Sequence, residues 1–315
     1  MLVTVITPAR NAAETIERCV TSVLEQRFEG DFEYIVVEGG STDETRQILE
    51  RCLERAGAKL RLFKGPGTGP AAARNVGIKE AKGDIIVFID ADCEAEKGWL
   101  RSLIQPFEKR DIGGVCGSVK TPKGLGLVGR VVGLDWEYRQ EEKIVKRMRW
   151  FHFMNTAYRR EVFNRIGLLD ETLTTGEDQE FFRRALNSGY KFSFVEGARV
   201  YHYHRSTLRR FLNQFFNYGK GSYTALRRGG DLETLSLFLY FLALLGSLAL
   251  IPLRRIFGYV FLALFALGFG KYLLNSLQVF YRSKEPTSLF IGPLAYLGRF
   301  AKFLGFIYSL LRGRG

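Results

Sequence analysis

The chain predicts a parallel α/β domain followed by an apolar helical region, and three observations carry that expectation. Short apolar runs at residues 3–6, 34–37, 60–63 and 85–89 alternate with helix-period segments at 13–26, 43–55 and 71–81. Strands that alternate with amphipathic helices build parallel sheets through crossover connections. A glycine pair, Gly39 and Gly40, leads from the second run toward a helix start. The twenty positions from 234 to 253 hold no charged residue.

The first strand begins almost at Met1, without the basic region and long apolar stretch of a signal peptide, so the N-terminal part is expected to stay cytosolic. After the second strand, Ser41 and Glu44 have capping-box spacing and predict the start of the second helix. Ligands of open parallel sheets bind beyond the carboxyl ends of the strands, and helix N-termini there suit phosphate. Past Asp92 the pattern loosens to a helix near 99–107 and a strand near 113–119. A segment at 125–149 follows, mixing Val131, Val132, Trp136 and Ile144 with many charges. It reads as a solvated helix packed by one face, or as an amphipathic helix at a membrane.

At about 1.5 Å per residue, the charge-free tract 234–253 matches a hydrocarbon core of roughly 30 Å and predicts a transmembrane helix. A second apolar run, 256–275, carries Lys271 near its end, where the side chain can snorkel. The two predict a hairpin. In a third stretch, 287–311, Arg299 and Lys302 share one helix face. Each costs roughly 2.5–3.5 kcal/mol at a bilayer centre, so a third span and an interfacial helix both stay open. The expected division is a catalytic domain at 1–230 and a membrane domain at 231–315. Arg209, Arg210, Lys220, Arg227 and Arg228 precede the hairpin, and Arg282 and Lys284 follow it. Only Arg254 and Arg255 occupy its turn, which directs the N-terminal domain to the cytoplasm of a multi-pass protein.

A chain of 315 residues holds one full α/β core with an appendage. Its net charge of +13 is spread over both parts, with nine Lys/Arg against two Asp/Glu from position 233 onward. Basic residues beside apolar segments, with no recognition module, favour membrane lipids over nucleic acid as partners. Cys19, Cys52, Cys93 and Cys116 lack C-x-x-C spacing, so they predict core residues and neither a zinc site nor a disulfide framework.

The strongest chemical signal is Asp90-Ala91-Asp92 at the end of the fourth strand. Two carboxylates one residue apart at a strand terminus can aim at one divalent cation, and such a cation can bridge a diphosphate. A D-x-D triplet is common in acidic turns, so its neighbours decide. Thr7-Pro8-Ala9-Arg10-Asn11 ends the first strand, and Val36-Val37-Glu38-Gly39-Gly40-Ser41-Thr42-Asp43 ends the second. Gly69-Pro70-Ala71-Ala72-Ala73-Arg74-Asn75-Val76-Gly77 opens the third helix. In this order the four segments resemble the nucleotide-sugar-binding half of family 2 glycosyltransferases of the GT-A fold, over residues 2–228.

The resemblance implies a nucleotide-sugar donor bound by Pro8, Arg10, Glu38, Ser41, Asp43, Arg74, Asn75, Asp90 and Asp92. Glu38 would contact the base, and Asp90 and Asp92 the metal-diphosphate. The usual Asp-Asp-Gly-Ser stretch is Glu38-Gly39-Gly40-Ser41 here. Asn155, Glu177 and Arg184 fall in the family's acceptor-side segment, and Asp178 matches its general base. A sugar hydroxyl attacks an anomeric carbon more readily when a carboxylate takes its proton, and one displacement inverts that centre. Certain relatives use a histidine beyond the base as a third metal ligand, which points to His202. Histidine suits Mn2+ better than Mg2+. A hydrogen-bonding role in the core is the alternative for His202 and for its strand neighbour His204.

A polyprenyl phosphate is ionised near neutral pH and needs no base, so Asp178 points to a hydroxyl acceptor on a lipid-linked saccharide or glycolipid. Transfer to polyprenyl phosphate is the nearest alternative. A membrane-bound nucleotidyltransferase and a non-catalytic scaffold are further ones.

Overall fold

The computed structural model describes residues 1–141, 144, 151–173, 175–227 and 232–312. The chain packs as two units, Met1–Lys123 with Arg139–Tyr203, and Gly124–Tyr138 with His204–Gly315. Residues 124–138 and 204–227 group with the C-terminal helices.

The first unit is built on an eight-stranded sheet. Its strands are β1 (Val3–Ala9), β2 (Phe32–Glu38), β3 (Leu60–Lys64), β4 (Ile85–Ile89), β5 (Cys93–Ala95), β6 (Ile112–Lys120), β7 (Asn155–Arg159) and β8 (Lys191–His202). Their order is β3-β2-β1-β4-β7-β6-β8-β5. The first four run parallel, as the alternation predicts. Beyond β4 the sheet turns mixed: β7 is antiparallel to β4 and β6, β6 is parallel to β8, and β5 is antiparallel to β8. β4 is buried at every position, as expected for a central strand covered on both faces.

The helices α1 (Ile16–Leu24), α2 (Thr45–Ala56) and α3 (Pro70–Glu80) are the expected crossovers. Pro70 stands at the start of α3, where its missing N–H costs nothing. Gly77 lets α3 lie against β1, since a Cβ there would come within 2.6 Å of Ile6. The capping box does not form. α2 begins at Thr45 with no side-chain capping bond at Glu44, because Ser41 Oγ accepts the Asn11 N–H and Asp43 takes the Thr45 N–H instead. Next come α4 (Trp99–Ile104), α5 (Leu127–Gln140), α6 (Arg160–Ile166) and α7 (Glu177–Leu186). Under α3, α6 and α7 lies an aromatic core in which Phe88, Phe151, Phe153, Tyr158, Phe181 and Phe182 meet edge-on or stacked. All four cysteines are buried and free.

In the second unit, Val131 and Leu134 of α5 pack against Val279 and Ile291, and Arg130 pairs with Glu285. Residues 127–140 thus form a helix held by one face. Most of the expected remainder, 142–149, lies outside the described residues. α8 (Leu208–Arg227) lies along α11 (Ile291–Arg312). Gly219 meets the Lys302 carbonyl and Gly305 the Phe216 carbonyl, leaving no room for a Cβ on either glycine. Between them come α9 (Leu232–Leu250) and α10 (Ile256–Ser283). α9 stops short of the expected 253 because Pro252 disfavours helix at the preceding residue. α10 runs to Ser283, past the expected 275. By length and composition α10 and the segment Pro286–Arg312 qualify as candidate membrane or interfacial segments, and the most apolar eighteen residues of α10 are 0% buried within the fold. The apolar part of α9, Leu235–Leu250, is shorter.

Candidate active site

Parallel register brings the carboxyl ends of β1, β2 and β4 side by side, with Ala9 opposite Glu38 and Ile6 opposite Phe88. The functional segments therefore emerge at one edge of the sheet. Glu38 is buried at the tip of β2, where its Oε1 accepts the Ser41 N–H at 2.6 Å. Burial alone would raise its carboxyl. Hydrogen bonds from Ser41 and Gly40 and the charge of Arg46 overcome that and hold it below the ordinary range. Asn11 adopts a left-handed φ of 52° and its Oδ1 accepts the Thr42 N–H, tying the β1 and β2 loops together. Arg10 is exposed and donates from Nη1 to the Gly67 carbonyl at 2.8 Å. Pro8, opposite Val37, is partly exposed beside it.

Arg74 is the centre of the site. Its Nη2 donates to Asp90 Oδ1 and its Nη1 to Glu177 Oε1, each at 2.7 Å. The side chain is 5% exposed and its guanidinium lies 4.9 Å from the Phe153 ring centroid. One buried cation therefore joins the D-x-D turn after β4 to the first residue of α7. Asp178, next along α7, keeps partial exposure, and its Oδ1 accepts the Gln179 N–H. Desolvation and the neighbouring Glu177 charge push its carboxyl up to about 7, against the pull of Arg74. A carboxylate in that range is matched to general-base work near neutral pH.

Asp92 faces a different partner. Its Oδ1 lies 3.1 Å from His202 Nε2, and its carbonyl accepts the Tyr203 N–H. His202 reaches this position because β8 ends there, paired with β5 so that His202 stands opposite Cys93. Among the described residues, the donor atoms of Asp92, Cys93 and His202 lie within 4.8 Å of one another. A carboxylate and an imidazole so close fit a divalent cation. Burial and the charges of Asp92 and Asp90 hold the Cys93 thiol well above its ordinary value. His152 is buried nearby, and burial with repulsion from His202 lowers its imidazole to about 3.

Several residues expected at the donor or acceptor are occupied by the fold. Asn75 is buried, donates to the Leu169 carbonyl and Glu171 Oε1, and accepts the Leu169 N–H. It fastens residues 169–171 to α3. Asp43 accepts from the N–H groups of Thr45 and Ala13, and Ser41 is held by Asn11 and Glu38, so both shape the loop. Asn155 is fully buried. It accepts from Trp99 Nε1 and donates to the carbonyls of Ser118 and Ala198, which makes it a core clasp across β6, β7 and β8. Arg184 pairs with Glu180 and donates to the carbonyls of Ile166 and Leu168, so it closes the loop before α7. Asp90, expected beside Asp92 on one metal, accepts the Arg74 Nη2 hydrogen bond through its Oδ1. Cys93 was legible only as a core cysteine, and its place directly after the D-x-D triplet is the signal that could have marked it.

This sheet, with a D-x-D turn at its carboxyl edge, has the GT-A architecture of a glycosyltransferase. Residues 4–167 match the model of Glycosyl transferase family 2, and the chain belongs to that family of glycosyltransferases. It is 29% identical over 222 residues to Glycosyltransferase AglE of Haloferax volcanii, covering 70% of this chain and 72% of that one. It is 21% identical, over 99% of its length and 98% of the other's, to the Methanococcus voltae protein named Dolichyl N-acetyl-alpha-D-glucosaminyl phosphate 3-beta-D-2,3-diacetamido-2,3-dideoxy-beta-D-glucuronosyltransferase. Among solved structures, mannosyltransferase PcManGT from Pyrobaculum calidifontis, in complex with GDP-Man and Mn2+, superposes with a TM-score of 0.63 at 20% identity. That match covers 99% of this chain and 88% of that one. Other relatives are longer, and the chain spans 60% and 46% of two of them.

Proposed function

We propose that this protein is a membrane-bound, inverting, metal-dependent glycosyltransferase that moves a sugar from a nucleoside diphosphate to a hydroxyl of a lipid-linked saccharide or glycolipid. The observation that carries the reading is the Arg74 bridge, which ties Asp90 to Glu177 beside Asp178. Donor-side and acceptor-side carboxylates share one electrostatic cluster. Glu38, ionised at the tip of β2, accepts an N–H of the base, and Pro8 and Arg10 flank the nucleoside. Asp92 and His202 hold a divalent cation, with Asp90 kept beside them by Arg74. When bound, that cation supplies positive charge to the diphosphate as it departs. Arg74 adds a fixed positive charge that needs no reorganisation during reaction. Asp178 accepts the acceptor hydroxyl's proton as oxygen attacks the anomeric carbon, and a single displacement inverts that centre.

The acceptor class follows from the same base. An ionised phosphate acceptor brings no proton to remove, whereas a hydroxyl does. The name of the Methanococcus voltae relative describes transfer to a sugar on a dolichyl phosphate, which supports a lipid-linked saccharide. The apolar helices α10 and α11 support a multi-pass membrane protein, and the basic residues flanking the helical hairpin support a cytoplasmic catalytic domain. Arg209, Arg210 and Lys220 of α8 would then face the charge of lipid phosphates. Incubating the detergent-solubilised protein and Mn2+ with nucleotide sugars, supplying a polyprenyl-linked saccharide or a bare polyprenyl phosphate, tests the reading. Release of a nucleoside diphosphate with the saccharide acceptor alone is expected. Transfer to bare phosphate, or release of pyrophosphate, contradicts it.

A further inference from the structure

We propose that Cys93 completes a three-donor site with Asp92 and His202 that takes a thiophilic divalent cation, Zn2+ above all, in preference to Mn2+ or Mg2+. This rests on the reading that Asp92 and His202 hold the catalytic cation, and it adds a ligand that makes that site soft. The geometry comes from the strand pairing. Cys93 and His202 are direct partners on the antiparallel β5–β8 pair, and directly opposite residues present their side chains on the same face. Asp92 precedes Cys93, and the turn is fixed by the Cys93 N–H donating to the Asp90 carbonyl at 2.9 Å. Carboxylate oxygen, sulfur and imidazole nitrogen thus meet within 4.8 Å. Around a tetrahedral Zn2+ the same donors stand about 3.3–3.7 Å apart, given Zn–ligand distances of roughly 2.0–2.3 Å. Small side-chain rotations close the difference.

A carboxylate, an imidazole and a thiolate with an open fourth position form a set that zinc accepts. A site of oxygen and nitrogen donors alone already binds Zn2+ more tightly than Mn2+, and a thiolate widens that gap. Cys93 gives up its thiol proton on binding, as a metal-bound cysteine must. Zn2+ therefore displaces Mn2+ from this protein at low excess, and the sulfur sets the preference.

Co2+ alone, added to the full-length protein in detergent, is the direct probe. Wild type is expected to show visible d–d bands and a near-ultraviolet thiolate-to-cobalt charge-transfer band. Cys93→Ser keeps the d–d bands and loses the charge-transfer band. In competition read from the Mn2+ spin-resonance signal, Cys93→Ser weakens Zn2+ binding by about tenfold or more and leaves Mn2+ binding within about threefold. Cobalt d–d bands without a charge-transfer band in wild type overturn the proposal while leaving Asp92 and His202 as ligands. That wild-type spectrum decides even where Cys93→Ser does not fold. Failure of Co2+ to bind at all, with or without a nucleoside diphosphate, overturns the underlying metal site as well.

Discussion

Asp178 sits where burial and a neighbouring acid work against ionisation, and the direction of its shift fixes a pH dependence. Below about pH 7 the carboxyl holds its proton and cannot accept another; above it the base form dominates. Under saturating donor and cation, kcat/KM is expected to rise about tenfold per pH unit below 7 and to level off above it. A flat profile from pH 5.5 to 8.5 contradicts Asp178 as the base. Arg74 offers a second test. Its removal leaves Glu177 as a buried carboxylate without its cation and Asp90 half-exposed without its own. Breaking a buried pair from one side costs about 3–5 kcal/mol, and the solvent around Asp90 places this case at the lower end. Arg74→Ala is expected to lower the denaturation midpoint clearly, and an unchanged midpoint contradicts the bridge. At this scale the sequence was partly legible. Arg74, Asp92, His202 and Asp178 stand in motifs whose chemistry needs those side chains. Asn75, Asn155 and Arg184 lie in equally suggestive stretches, yet their amide and guanidinium groups bond main-chain carbonyls and carboxylates within the fold. Only three-dimensional hydrogen bonding reveals that.

The elements of the parallel half were readable because period and burial agree. β4 spans the expected residues 85–89, and α3 starts at Pro70, one residue before the expected 71. In the mixed half the helix expected near 99–107 and the strand near 113–119 appear as α4 and β6, but the pairing of β7, β6 and β8 spans separations that no local period encodes. The capping-box spacing misled at α2 because two competing acceptors, Ser41 and Asp43, were drawn into the loop. Gly77 links element packing to the site, since it sets how closely α3 carries Arg74 over β1. Gly77→Ala gains about 0.8–1.0 kcal/mol in helix propensity but inserts a Cβ 2.6 Å from Ile6. Overpacking of that kind costs about 1–3 kcal/mol, so the clash is expected to win. Urea denaturation should report net destabilisation, accompanied by slower turnover; a stabilised, fully active variant contradicts the close α3–β1 contact.

For the whole molecule, the sequence separated an α/β sheet from an apolar helical tail, and the contacts group α8 with that tail. Residues 204–227 fall within the expected catalytic domain, whereas α8 groups with the helical unit through contacts at Gly219 and Gly305 that sequence spacing does not announce. The central claim is that donor capture and proton removal are separate tasks held in one cluster. Donor affinity by calorimetry and single-turnover rate, measured with Mn2+ in Asp92→Ala and Asp178→Asn, test it most directly. Asp92→Ala is expected to abolish cation-dependent donor binding, while Asp178→Asn binds donor within about threefold of wild type and turns over about 10²–10⁴-fold more slowly. Equal loss of donor binding in both variants, or near-normal turnover in Asp178→Asn, contradicts the account.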